Sequence, residues 1–325
     1  VKRFWPITIG AAIFALFVII GGWENLARLR GVRPLPAAGA VLATIGITGS
    51  IAFRWGTVAD TLVGRRVTGW FRYYYYFMMG RFLGFFLPKD VTDIASRTVM
   101  LNRFHGVPMS QSATSVVIDR LGDVLAMTVL LPACLPYWLG WVSGLQGIGI
   151  MLGLALFFGL LLYIFHLRIA WIIERSMTFL AVIVRYIPGM KRHLYTSGRF
   201  PSFERGTLLT FYTTSVLKVV LTAFRFALFA LALGIPIPFT LLVLATPLGQ
   251  LSYMFSFTPG GLGILEAGWF GILVFSGIST DHASTFVVGQ RVLTVAIITL
   301  LTAITHFGFG FHKQEDEPPG DKTAG

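Results

Sequence analysis

Four stretches of the chain are almost free of charge: Ile7–Gly22, Pro132–Phe165, Ala227–Phe257 and Val292–Phe311. Their apolar residues run on without the strict alternation a transmembrane barrel requires. They predict membrane-embedded helices, and the pattern places the clearest of these at about 113–135, 144–167, 207–233 and 284–311. Two shorter apolar arms, 73–88 and 239–258, end differently. The first stops at Pro88 and returns along Lys89–Arg103, which carries Asp90, Asp93 and Arg97. The second breaks at Pro259-Gly260-Gly261-Leu262-Gly263 and turns back along 264–276. Proline removes a backbone donor and glycine admits unusual backbone angles, so both breaks read as hairpin tips. A return arm this charged is unsuited to a lipid-facing span. A re-entrant hairpin, sheltered by protein or a wet cavity, accommodates it.

The two arms belong to an internal repeat. Shifting the chain against itself by 171 positions aligns, without a gap, Phe86 with Phe257, Pro88 with Pro259 and Phe104 with Phe275. The same shift aligns Gly106 with Gly277, Thr114 with Thr285, Val116 and Val117 with Val287 and Val288, and Arg120 with Arg291. A repeat in a hydrophobic chain predicts two related halves with the working site where they meet. Loop charge predicts their orientation. Residues 166–206 carry seven Lys or Arg against Glu174 and Glu204 and read as cytoplasmic, and 54–72, with Arg54, Arg65, Arg66 and Arg72, read likewise. The uncharged loops near Pro136–Gly147 and Gly234–Pro238 fall on the other side. The halves then have opposite orientation, with both termini cytoplasmic. Arg28, Arg30 and Arg33 fall outside in this scheme, against the charge rule. Ala170–Ile187 is amphipathic enough to lie on the membrane surface, and Tyr73–Tyr76 reads as an interfacial aromatic belt. The expected fold is thus all-α: a polytopic membrane bundle of two inverted repeats, each with a re-entrant hairpin. Residues 1–312 form one integral membrane domain with repeat cores at about 70–135 and 240–311, and 313–325 form a disordered cytoplasmic tail.

Composition agrees. Of 325 residues, 55% are hydrophobic and 12% charged, about half the charged share of a soluble domain; the mean hydropathy is +0.75. A net charge of +12 would suggest nucleic acid in a soluble protein. Here loop clustering assigns it to the anionic leaflet of the inner (cytoplasmic) membrane, and no nucleic-acid partner is expected. Cys134, the single cysteine, excludes an intrachain disulfide. No His/Cys/Glu cluster suggests a metal, and no phosphate loop, nucleophile elbow or H-E-x-x-H helix suggests a cofactor or a soluble-type active site. Lys2-Arg3 before Ile7–Gly22 mimics a signal peptide but lacks a cleavage context, so it reads as the first membrane helix.

The polar residues inside these segments are the candidates for work. Arg120 and Arg291 hold matching repeat positions, where each either meets a lipid phosphate or forms a structural ion pair with Asp119, Asp123 or Glu266. Asp119 and Asp123 share a helix face and can counter Arg97 or Arg120 or carry a proton. Glu266 opens the return helix of the second hairpin, either capping its amides or responding to a substrate amine or proton. Its counterpart is Ala95, and Asp90, Asp93 and Arg97 supply the polar atoms of the first hairpin instead. Arg81, and Lys218 with Arg225 seven residues on, either extend a basic lining or pair with carboxylates. His306 reads as a packed core histidine.

The stretches GRFLGFFLPKDVTDIASRTVMLNRFHGVPMSQSATSVVIDRLGDV and SFTPGGLGILEAGWFGILVFSGI resemble the two signature regions of the lysylphosphatidylglycerol synthase/flippase transmembrane family. The matching positions are Pro88, Asp93, Arg97, Arg120 and Asp123, then Pro259, Gly260, Gly261, Gly263 and Glu266, and the similarity covers most of 5–311. Val91-Thr92 stands where the family carries a glycine before the acidic residue. The soluble aminoacyltransferase domain of bifunctional members is not found in this stretch. The resemblance therefore implies translocation of a phospholipid or aminoacyl-phospholipid without lysyl transfer and without enzymatic activity. The headgroup would contact Arg97, Arg120, Asp123, Arg291 and Glu266 in a polar cavity while the halves rock. An intramembrane transferase acting on a polyprenyl- or phospholipid-linked substrate, and a non-transporting partner of a lipid-modifying envelope enzyme, are the alternatives.

Overall fold

A computed structural model describes residues 31–172, 175, 203–254, 258 and 262–312. Every regular element among them is helical: α1 (Pro34–Val63), α2 (Trp70–Leu83), α3 (Lys89–His105), α4 (Met109–Leu130), α5 (Cys134–Trp138), α6 (Gly144–Ile164), α7 (Arg205–Ala232), α8 (Phe239–Met254), α9 (Ile264–Phe275) and α10 (Thr280–His312), with one 3-10 turn at Leu131–Ala133. Four of these helices are long and apolar enough to cross a membrane: α1, α6, α7 and α10. α6 is the least enclosed; Leu152, Leu156, Phe157 and Leu160 on it are exposed, as a lipid-facing helix requires. The protein is an all-helical membrane protein.

The 171-residue shift reaches further than the sequence identities did. Pro34 and Arg205 begin α1 and α7, and their numbers differ by 171. The same difference separates the last residues of α2 and α8 (Leu83, Met254) and the first of α4 and α10 (Met109, Thr280). Gly106 and Gly277, which end the third helix of each set, are both left-handed, with φ of 64° and 85°. Only glycine takes that conformation without strain. The same offset thus also relates the starts of α1 and α7, which lie before the stretch of sequence identities.

α1 and α7 pack together along their length, antiparallel. The amide of Arg33 donates to Ala232 O at 2.9 Å at one end, and Arg54 reaches Ser215 at the other. Small residues allow the approach: a Cβ on Gly39 or Gly46 would lie 3.3 or 3.0 Å from the nearest side-chain carbon of Leu228 or Leu221. Around this pair stand the two helical hairpins, α2–α3 and α8–α9. Buried residues of α1, α2, α7, α8, α9 and α10 form the largest apolar core, in which Phe226, Trp269 and Phe286 stack with centroids 4.4 to 6.2 Å apart.

Three expectations are corrected. Residues 54–72 are a loop only over 64–69: α1 continues to Val63, with Arg54 buried within it, and α2 begins at Trp70. The predicted 113–135 helix ends at Leu130, where Pro132 forces a 3-10 turn into the short α5. Tyr73, Tyr74 and Tyr76 are enclosed rather than interfacial, because α2 lies between α1, α3 and α10. The hydroxyl of Tyr73 donates to Asp60 Oδ1 at 2.7 Å, and that oxygen also accepts the Val67 amide at 2.8 Å. Ile7–Gly22, Arg28 and Arg30, most of Ala170–Ile187, the tip residues Pro259, Gly260 and Gly261, and the tail 313–325 lie outside the described residues.

Candidate functional site

Seven charged side chains from α1, α3, α4 and α7 meet at the centre of the bundle. Arg54 on α1 donates from Nε to Asp119 Oδ1 at 2.7 Å, from Nη2 to Asp123 Oδ1 at 2.8 Å and from Nη1 to Ser215 Oγ at 2.8 Å. Arg97 on α3 donates from Nη1 to Asp119 Oδ2 at 2.9 Å and holds both oxygens of Asp93, Oδ1 at 3.0 Å from Nε. Arg120 pairs with Asp93 and approaches Asp123 at 4.0 Å. Lys218 Nζ on α7 lies 2.7 Å from Asp123 Oδ2. Four cations thus share three carboxylates, and each carboxylate meets at least two of the cations. That sharing is the condition for keeping charge inside a membrane bundle. Arg97 also lies over the rings of Trp55 and Phe77, 5.1 Å from each centroid.

Spacing explains the assembly. Asp119 and Asp123 are four apart on α4, as are Asp93 and Arg97 on α3, so each pair projects from one helix face. The close packing of α2 on α3 at Gly80 brings α3 inward: a Cβ there would lie 2.5 Å from Ser96 Oγ.

Beside the network is a hollow of about 50 Å³ at the meeting of the two helix sets. Arg81, Lys218, Arg225 and Arg291 line it together with Thr48, Gln290 and Thr294. The space holds a few waters. Arg291 reaches Glu266 Oε1 at 3.5 Å, and Glu266 Oε2 accepts the Gly263 amide at 2.7 Å. Glu266 is fully buried and caps α9; Gly263, with φ of 84°, makes the turn into that helix.

Of the residues singled out in the sequence, Asp93, Arg97, Asp119, Arg120, Asp123 and Lys218 come together in the network, and Arg81, Lys218, Arg225 and Arg291 at the hollow. Arg97 is 0% exposed and does not line the hollow, so its contacts are with protein. Glu266 stands behind Arg291 rather than in the lining. Pro88 begins α3 at an exposed turn flanked by exposed Phe86 and Leu87. His306 is exposed on α10, its Nδ1 3.0 Å from the Tyr75 hydroxyl. Arg54 and Ser215 are site residues that the sequence patterns did not single out. The signal was available, since Arg54 aligns with Arg225 at the 171-residue shift. Among the described residues no group of three His, Cys, Asp or Glu is placed to hold a metal ion.

The family model of the lysylphosphatidylglycerol synthase TM region matches residues 7–302, which include every residue of the network and of the hollow. The chain belongs to this family. No curated protein and no solved structure gives a significant match. Membership of this family is consistent with a membrane lipid-related function. The covered span carries the network on α1, α3, α4 and α7 and the basic hollow on α2, α7 and α10.

Proposed function

We propose that the protein translocates phospholipids between leaflets, the headgroup passing through the basic hollow while the acyl chains stay in the bilayer. The observation that carries this reading is the convergence of Arg81, Lys218, Arg225 and Arg291, from both helix sets, on one buried space. Guanidinium and ammonium groups at membrane depth suit a phosphate that must leave water. The reading includes no covalent step. It takes the two helix sets as inverted repeats, supported by the antiparallel run of α1 against α7. It takes α2–α3 as re-entrant, supported by exposed Phe86, Leu87 and Val91 around the Pro88 turn, which suit lipid or protein better than water. Arg65, Arg66 and Arg103 are exposed at the far ends of α1 and α3, which supports a cytoplasmic face of the cell membrane at that end.

The test is translocation of fluorescent phosphatidylglycerol and phosphatidylethanolamine in reconstituted vesicles. Arg81→Gln and Arg291→Gln should each slow transport by about tenfold or more while the purified proteins keep a cooperative thermal transition. Folded variants that transport at the wild-type rate would refute the proposal.

A further inference from the structure

We propose that the second helix set carries an oxyanion subsite, in which a phosphodiester or similar small anion fills the place that two aspartates fill in the first set. The inference rests on the translocation reading, since it names the chemistry of the group that enters the hollow.

The argument is a comparison of the chain with itself. Under the 171-residue shift Arg54 corresponds to Arg225 and Arg120 to Arg291, while Asp119 corresponds to Gln290 and Asp123 to Thr294. Both cations are retained and both anions are replaced. In the first set the two aspartates hold Arg54 at 2.7 and 2.8 Å. The rest of the network is not repeated: Lys218, on Asp123, corresponds to Ile47, which lines the hollow, and Asp93 and Arg97 correspond to Ile264 and Gly268. The hollow is therefore the counterpart of the ion network, with its carboxylates substituted by an amide and a hydroxyl.

What took their place is built to donate. Gln290 is 2% exposed, and its Nε2 has no hydrogen-bond partner; the buried Oγ1 of Thr294 has none either. Both residues line the same space as Arg225 and Arg291. Buried donors left open beside guanidinium groups are a receptor for an acceptor-only anion. A cationic occupant would add to the positive charge of the lining and bring no acceptor to the open donors. Glu266 does not line the hollow: it is fully buried behind Arg291, its Oε2 accepts the Gly263 amide, and its Oε1 faces Arg291 at 3.5 Å without a hydrogen bond. A space of about 50 Å³ suits a small anion better than a whole headgroup.

The test copies the first set onto the second. The Gln290→Asp/Thr294→Asp variant places on α10 the two carboxylates that α4 carries, and the subsite becomes self-neutralised. The full chain is placed in nanodiscs of a phosphate-free glycolipid, digalactosyldiacylglycerol, alone or with phosphatidylglycerol. Lipid retention is read by native mass spectrometry, and inorganic phosphate is titrated by thermal shift. The wild type should retain phosphatidylglycerol over the glycolipid by about tenfold or more, and the variant should lose that preference. The variant should melt no lower than wild type, which shows that it folds. Gln290→Leu/Thr294→Val removes the donors without adding charge and should lose the preference as well. A shift with inorganic phosphate that both variants abolish places a free phosphate in the subsite. Preference for phosphatidylglycerol without such a shift places a lipid phosphodiester there. Wild type that binds neither probe, or folded variants that bind within about twofold of wild type, overturn the inference. Translocation assayed in parallel separates the two claims. Binding lost with transport intact retains the subsite and sinks the translocation route through it. Transport lost with binding intact sinks the subsite.

Discussion

Asp119→Asn tests whether the ion network holds the bundle together. Asp119 stands between two enclosed guanidinium groups, Oδ1 at 2.7 Å from Arg54 Nε and Oδ2 at 2.9 Å from Arg97 Nη1. Asparagine keeps the volume but offers one acceptor, and it turns an amide NH2 toward the other guanidinium. The balance falls from four cations and three carboxylates to four and two. Breaking a buried pair by removing one partner costs about 3–5 kcal/mol in water-soluble proteins. Polar contacts between membrane helices average lower, about 0.6 kcal/mol and up to about 2, because the unfolded chain in the bilayer also finds partners. The substitution weakens two charge-assisted hydrogen bonds at once, so the expected cost is about 2–5 kcal/mol. Denaturation in mixed micelles, followed by circular dichroism, reads it. Arg54→Met supplies the cycle: it leaves Asp119 with Arg97 and Asp123 with Lys218, so it should cost less. The double variant should show a coupling of at least about 1 kcal/mol. An Asp119→Asn protein within about 0.5 kcal/mol of wild type, or a cycle that is simply additive, would refute the reasoning.

Gly249→Ala should destabilise the second hairpin. Its Cβ would fall 2.5 to 2.7 Å from ring atoms of Trp269, which is rigid and fully buried, so about 1–3 kcal/mol is expected; a melting temperature equal to wild type would count against that close approach. Cysteines at positions 46 and 221, joined by a short bifunctional thiol reagent, should leave translocation within about twofold of the unlinked protein, since a Cβ at Gly46 already lies 3.0 Å from Leu221. Cys134, the only native cysteine, is buried and need not be replaced.

Helices and repeat were legible because they rest on local patterns: apolar runs, proline breaks and identities at a fixed shift. The site was legible in its members more than in its pairings. Glu266 illustrates this. Its position at the start of a helix admitted a cap or a functional acid, and only the packing of α10 beside α9 brings Arg291 to its other oxygen. Arg54 was hidden for a related reason. It stands near Arg65, Arg66 and Arg72, so loop charge claimed it for the cytoplasmic surface. One arginine in thirty residues does not stop a helix when two aspartates on another helix wait to receive it, and that fact is tertiary. The tyrosine run failed likewise, because four adjacent aromatics look the same in sequence whether a helix lies at an interface or between three others.

The geometry also bears on how such a protein could open. A rocking of one whole helix set against the other would have to slide α1 along α7. That seam carries Arg54–Ser215 at 2.8 Å and the Arg33–Ala232 backbone bond at 2.9 Å, and Lys218 on α7 is tied to Asp123 on α4 at 2.7 Å. Hydrogen bonds weaken steeply beyond about 3.2 Å, so a shift of even about 1 Å strips charge from its partners inside the bundle. The opposite wall of the hollow is held differently. There α2 meets α10 through apolar packing, the Tyr75 hydroxyl 3.0 Å from His306 Nδ1 near one end, and a long bond from Thr302 Oγ1 to Met78 O at 3.5 Å. Arg81 lies on the α2 side of that wall and Arg291 and Thr294 on the α10 side. Parting α2 from α10 would widen a space of about 50 Å³ toward the size a headgroup needs without breaking any of the α1–α7 ties. The cheaper motion is therefore a parting of α2 from α10 that pivots on α3, which the ion network holds to α4 through Arg97–Asp119 and Asp93–Arg120.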